Sequence, residues 1–184
     1  MEVLEFPFLL SPKECSHIIE LAKKEGIFEA ETVGEPIDGY RTADNCWIKS
    51  GDDIIDWLED YISKQIGIPV ENFEDSHIVR YGVGGEYKEH HDWFDENFEE
   101  HQTEIGKAGN RTHSYIIYLN DAFKGGETEF IKLNKTVKPE LGKGLMWTNI
   151  KDGVCLDESL HAGLPVTEGE KWILIIWIRE NKFR

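Results

Sequence analysis

Cysteine is scarce in this chain of 184 residues, which carries only Cys15, Cys46 and Cys155. They are odd in number, widely spaced and form no CxxC pair, which argues against a disulfide framework or a cysteine zinc site. Reduced thiols and a cytoplasmic location are the expectation. Long apolar runs are also missing. The longest, Trp172 to Ile178, has seven residues, far short of the roughly 18 that a membrane-spanning helix needs. The first residues, MEVLEFPFLLSPKE, place no basic stretch ahead of an apolar one, so no signal peptide is expected. Repeats, low-complexity tracts and Pro/Ser-rich linkers are absent as well. Positive charge is in short supply: 36 acidic residues against 20 basic ones give a net charge of −16. Such a surface repels nucleic acid phosphates and suits a basic protein or peptide partner. No membrane partner is expected, and oligomeric state is not legible.

What remains reads as one domain over residues 1–184 with 40% hydrophobic residues, enough for one core. Val3 to Phe8 can form a strand. Ser11-Pro12-Lys13-Glu14 is a helix start, with Ser as N-cap, Pro at the first helical position and Glu three residues on. Cys15, Ile18, Ile19 and Ala22 give that helix an apolar stripe, and Gly26 ends it. A second helix is expected from about Asp52 to Gln65, with Ile54, Ile55, Leu58 and Ile62 on one face and Gly67 and Pro69 closing it. After Pro69 the texture changes to short β-branched and aromatic runs between Gly, Asn and Asp turns. His77–Tyr81, Glu86–Trp93, His113–Leu119, Glu127–Leu133, Gly144–Thr148 and Trp172–Arg179 read as strands. The expectation is therefore helical support over about 1–70 and a β core over about 71–184, a sandwich or barrel with helices on one side. Asp95 to Asn110 is polar and long for a connection, and reads as a mobile or substrate-facing loop.

The most informative stretch is Tyr81-Gly-Val-Gly-Gly-Glu-Tyr-Lys-Glu-His90-His91-Asp92. Alternate residues of a strand share a face, so His90 and Asp92 point together and His91 points away. One imidazole and one carboxylate are two-thirds of the facial triad that non-haem Fe(II) uses to leave positions open for cosubstrate and oxygen. The third ligand has to come from elsewhere, and His161, in Ser159-Leu-His-Ala-Gly-Leu-Pro-Val, is the best candidate. Alone, His-x-Asp is a weak signal. His17, His77, His91, His101 and His113 read as ordinary structural or surface histidines.

Context adds specificity. Nearly the whole chain resembles the prolyl 4-hydroxylase branch of the 2-oxoglutarate/Fe(II) oxygenases. The motifs that carry the resemblance are Tyr81-Gly-Val-Gly-Gly leading to His90-His-Asp92, Arg111 ahead of the strand ending Tyr118-Leu-Asn, Gly125-Gly-Glu-Thr128-Glu-Phe, and His161-Ala-Gly-Leu-Pro-Val-Thr-Glu-Gly-Glu-Lys171-Trp. The interval of ten from His161 to Lys171 is the family's, and the Arg41-Thr-Ala segment resembles it too. The resemblance implies a mainly β fold, a double-stranded β-helix (jelly-roll) core with supporting N-terminal α-helices. It implies Fe(II) on His90, Asp92 and His161, with 2-oxoglutarate as cosubstrate, O2 as oxidant and ascorbate as reductant. Lys171 stands where the family holds the distal carboxylate of 2-oxoglutarate, and a buried ammonium needs such an anion. Thr128 and Tyr81 are candidates to hydrogen-bond the cosubstrate. Matching positions place Tyr87, Arg111, Trp177 and Arg179 near a peptide substrate, and Arg41 to Trp47 in a mobile loop closing over it.

The implied activity is hydroxylation of a prolyl residue in a peptide or protein, with 2-oxoglutarate decarboxylated to succinate and CO2. The same chemistry on a free amino acid or another small molecule is the first alternative. Nucleic acid demethylation would share the triad, but the acidic surface and a lysine anchor speak against it. A catalytically inactive binding domain is the alternative from another class, and the presence of all three ligand residues disfavours it.

Overall fold

The computed structural model describes residues 1–29 and 41–184. Its strands are β1 (Val3–Phe6), β2 (Phe28–Glu29), β3 (Asp44–Ile48), β4 (Ser76–Tyr81), β5 (Tyr87–His90), β6 (Arg111–Tyr118), β7 (Lys124–Gly125), β8 (Thr128–Phe130), β9 (Lys135–Val137), β10 (Gly144–Thr148), β11 (Ile150–Lys151), β12 (Val154–Cys155), β13 (His161–Gly163), β14 (Val166–Glu168) and β15 (Lys171–Arg179). Its helices are α1 (Pro12–Glu25), α2 (Asp53–Ile66) and α3 (Glu99–Ala108). All strand pairs are antiparallel. Seven strands form the large sheet in the order β1-β10-β6-β15-β4-β3-β2, and four form a second sheet, β5-β13-β8-β9. This is the mainly β, jelly-roll architecture. Among the described residues, no helix is long and apolar enough to cross a membrane.

Alternation along the strands sorts the core into two layers. Ile78, Ile117, Leu174, Ile176 and Ile178 face α1 and α2, meeting Ile18, Ala22, Ile55, Leu58 and Ile62. Each such side chain contributes about 1.5–3 kcal/mol by leaving water. The alternate residues Val79, Tyr81, Ile116, Tyr118, Ile173, Ile175 and Trp177 face the second sheet, where Phe130 and Val137 wait. The helices start as their sequences dictate. Ser11 and Glu14 exchange both capping-box hydrogen bonds, and Asp52 accepts from Ile54 and Ile55. Gly67 closes α2 in the left-handed conformation.

Several expectations differ from the structure. Asp95–Asn110 is not an open loop, because it contains α3. That helix has no apolar stripe and buries only Ala108. Glu99 and Glu100 at its start and Lys107 at its end suit the helix dipole, and its exit is tied by Asn181 N donating to Ala108 O. Arg41–Trp47 is likewise not a free loop. Thr42 exchanges hydrogen bonds with Glu86, and Asp44–Ile48 is β3, paired along its length with β4. The polar Asp44 and Asn45 hid that strand, although Arg80 pairs with Asp44 across the ladder. The first strand stops at Phe6, the run after Glu127 becomes a 3-10 turn at Ile131, and β5 ends at His90 rather than Trp93. Three strands of the large sheet come from before residue 70, so the N-terminal part builds sheet as well as helix.

Gly142 ties this N-terminal part to the core. Its carbonyl accepts from Leu10 N at 3.1 Å and its N–H donates to Tyr118 O at 2.8 Å. Its φ is +75°, and a Cβ there would collide with the Leu10 carbonyl oxygen. The left-handed conformation alone costs a side chain about 1–2 kcal/mol. Gly142→Ala is therefore expected to lower unfolding stability by more than that amount, read as the shift in a urea midpoint, whereas Gly153→Ala, which meets no neighbour, should cost only the conformational part.

Candidate active site

Ligand atoms of His90, Asp92 and His161 lie within 4.8 Å of one another. β5 and β13 are paired so that His90 and His161 stand opposite each other, and Asp92 follows two residues past His90. His90 Nε2 is 3.6 Å from Asp92 Oδ1, and His161 Nε2 is 3.8 Å from Asp92 Oδ2. The other ring nitrogens are committed. Nδ1 of His90 donates to the Lys88 carbonyl at 2.7 Å, and Nδ1 of His161 to the Ser159 carbonyl at 2.8 Å. Each imidazole is thereby fixed in the tautomer whose Nε2 lone pair faces Asp92, the state a metal needs. Burial and the neighbouring His90 push His161 down to about 4, so its ring is neutral at pH 7. Burial would raise Asp92, but the imidazoles of His161 and His90 and the Arg111 guanidinium hold it well below the usual carboxylate range. Two imidazoles and one carboxylate on one face suit an Fe(II) centre with open positions.

The three residues open into a cavity that also meets Tyr81, Tyr87, Thr128, Trp147, Lys171 and Trp177. Lys171 begins β15 on the same face as Ile173 and Ile175 and is 3% exposed. Its Nζ donates to the Gly126 carbonyl at 2.7 Å and lies over the rings of Tyr81 and Tyr118. Among the described residues no carboxylate pairs with it. Burial lowers its pKa to about 8, opposed only weakly by Glu127. A buried ammonium without a counter-ion is the complement of an anionic ligand. Thr128 is beside it, its hydroxyl 2.7 Å from that of Tyr118. Gly126 permits the approach, since a Cβ there would press on the Lys171 chain and on Phe123.

Tyr87 lies three residues before His90, and a regular strand would turn the two apart. The structure removes that conflict with a bulge. His161 pairs with His90 and Gly163 with Tyr87, so two steps on β13 oppose three on β5, and the extra residue re-aims the side chain. The Tyr87 ring then stacks on the His90 imidazole at 3.5 Å. Trp177 also reaches the cavity, with Arg111 over its face at 3.7 Å and His77 and Trp47 behind it. Arg111 lines the neighbouring cleft with Tyr87, Asp92 and Phe94, but two of its nitrogens are held by Glu74, Nε at 2.7 Å and Nη2 at 2.8 Å.

Arg179 corrects an expectation. It is 0% exposed, paired with Glu74 at 2.9 Å and donating to the Glu104 carbonyl. It has no surface to offer a peptide, because the register shift after Ile178 turns it under α3. Residues that sequence reasoning passed over are as telling. Glu74 is the buried carboxylate shared by Arg111 and Arg179. Ser114 and Asn149 form a buried chain to Asp92. Ser114 shares the inner face of β6 with Ile116 and Tyr118, and a polar residue in that alternation was the available signal. Glu74 and Asn149 lie outside any periodic run and gave none.

The sequence pattern of the 2OG-Fe(II) oxygenase superfamily matches residues 76–179, and the chain belongs to that superfamily. A protein of Acanthamoeba polyphaga mimivirus is 33% identical over 177 residues, spanning 95% of this chain and 73% of that protein. Prolyl 4-hydroxylase 2 of Arabidopsis thaliana is 31% identical over 201 residues, again 95% of this chain but 66% of the plant protein. Among solved structures, the viral collagen prolyl hydroxylase of Paramecium Bursaria Chlorella virus-1, in its 2OG complex, superposes with a TM-score of 0.80 at 28% identity, over 97% of this chain and 96% of that one. The chain is thus a 2-oxoglutarate-dependent dioxygenase by family, with a His-Asp-His group suited to its iron.

Lys171 yields a test that needs no turnover. Its folded pKa of about 8 lies below the ordinary 10.5. Between those values the unfolded chain holds a proton that the folded chain has released, so stability rises with pH there. Below pH 8 the full cost of the buried charge is present, on the order of 3 kcal/mol. Without ligand, Lys171→Met should be more stable than wild type in urea at pH 7 and should lack the rise toward pH 10. It should also lose the stabilisation that 2-oxoglutarate gives the wild-type protein.

Proposed function

We propose that this chain hydroxylates a prolyl residue of a peptide or protein, coupled to decarboxylation of 2-oxoglutarate to succinate and CO2. The observation that carries this reading is the pairing, in one cavity, of the His-Asp-His group with the unpaired Lys171 ammonium. Support for the prolyl substrate comes from the prolyl hydroxylases that resemble the chain over nearly its whole length.

In this reading His90, Asp92 and His161 hold Fe(II), which supplies the oxygen-activating chemistry when bound. Lys171 neutralises the distal carboxylate of 2-oxoglutarate, aided by hydrogen bonds from the Thr128 and Tyr81 hydroxyls. The two imidazoles keep their Nε2 atoms aimed inward because the Lys88 and Ser159 carbonyls hold the opposite nitrogens. Apolar Ile116, Ile173 and Ile175 line the cavity and exclude water from the reacting centre. Tyr87 and Trp177 offer the peptide aromatic walls beside the metal, and proline rings suit such surfaces. Arg111 serves the substrate partly through Trp177, whose face it covers, since Glu74 occupies much of its fork. The net charge of −16 favours basic peptides, and nucleic acid is not a substrate in this reading. The three unpaired cysteines suit a reducing, cytoplasmic setting, with ascorbate as reductant.

The experiment is mass spectrometry of proline-containing peptides, neutral and lysine-bearing, after incubation with Fe(II), 2-oxoglutarate, ascorbate and O2. Gain of one oxygen on proline, with one succinate formed per hydroxylation, is expected, and the lysine-bearing peptides should be preferred. His161→Ala should abolish both products. Oxygen gain on a free amino acid with none on any peptide would reject the peptidyl substrate.

A further inference from the structure

The carboxylate of the metal triad has a protein partner outside the triad. Ser114 Oγ, fully buried on β6, donates to Asp92 Oδ2 at 2.5 Å. Behind it Asn149, also fully buried, places its side-chain nitrogen 2.9 Å from Ser114 Oγ. The direction of this chain is forced by proton count. An ionised carboxylate brings only lone pairs, so the proton in the short contact belongs to Ser114. A serine hydroxyl has one proton, so Ser114 can only accept from Asn149, and the amide must present its N–H. The backbone holds Asn149 for this, with its N–H donating to Thr112 O at 2.7 Å and its carbonyl accepting from Leu156 N at 2.8 Å. Among the described residues the remaining amide oxygen has no hydrogen-bond partner.

From this geometry we infer that Ser114 and Asn149 are positioning residues for the iron, an inference that rests on the triad binding it. They anchor Asp92 Oδ2 in a one-way hydrogen-bond chain, on a carboxylate whose Oδ1 is 3.6 Å from His90 Nε2 and whose Oδ2 is 3.8 Å from His161 Nε2. The carboxylate is thereby fixed in rotation before metal arrives. Partners of this kind typically contribute about 10–100-fold in metal affinity.

The test is anaerobic competition of the full chain with a chromophoric chelator for Fe(II), scored per folded molecule. Ser114→Ala and Asn149→Ala should each weaken Fe(II) binding about 10-fold or more. Because Asn149 acts only through Ser114, the double variant should be no weaker than Ser114→Ala, the non-additivity of one chain. Ser114→Thr, which keeps the hydroxyl, should restore most of the affinity, while Asn149→Asp, which cannot donate, should not. Wild-type affinity in Ser114→Ala, or losses that add in the double variant, would overturn the proposal. Should the threonine variant not fold, the two alanine variants and their combination still decide. A wild-type protein that bound no iron would fail the triad reading first, and with it this one.

Discussion

Strand β15 is buried from Lys171 to Arg179, on both faces, between β4 and β6. Its inner and outer side chains must fit two different layers at once, and its two ends carry cations into a medium that penalises charge. The two ends meet that constraint differently. Arg179 and the nearby Arg111 share the buried Glu74, whose carboxyl they hold low against its own burial. Lys171 has a carbonyl and two aromatic faces but no carboxylate among the described residues. One end of the strand is closed by the protein's own counter-ion, and at the other the ammonium meets only a carbonyl and aromatic faces among the described residues.

The metal group depends on the same frame. β13 sits opposite β5 in the smaller sheet, so His161 reaches His90, while β6, next to β15 in the larger sheet, brings Ser114 to Asp92. Carbonyls hold the two triad imidazoles, the Ser114 hydroxyl holds Asp92, and a carbonyl and two aromatic faces hold Lys171. Glu74 keeps one nearby guanidinium, that of Arg111, in place over Trp177, while a second, that of Arg41, lies over the Tyr87 ring at 4.8 Å. The triad and Lys171 thus line one cavity, and among the described residues no salt bridge is made by Lys171.

Much of this was legible in the sequence where a local rule governs. The capping box at Ser11, the helix from about Asp52 to its Gly67 stop and the strand in the apolar run Trp172–Ile178 each follow from neighbours in the chain. The alternate spacing of His90 and Asp92 follows the same logic. What escaped depended on distant partners. Tyr87 stacks on His90 only because β13 induces a bulge in β5. Helix α3 lacks an apolar stripe and is held by its ends, and β3 is a strand because β4 pairs with it. Arg179 reads as reaching a substrate by position, yet a register shift and Glu74 draw it inward. Glu74, Ser114 and Asn149 gain meaning only from what folding sets beside them.

The central claim is that one cavity joins an iron-binding triad to an anion site at Lys171. Anaerobic titration of the Fe(II)-loaded chain with 2-oxoglutarate, followed by visible absorption, tests it most directly. The account predicts a metal-to-ligand charge-transfer band that saturates at one 2-oxoglutarate per iron and per chain, with succinate, which lacks the keto group, binding without producing it. No band at saturating 2-oxoglutarate, or 2-oxoglutarate binding that is indifferent to the metal, would contradict it.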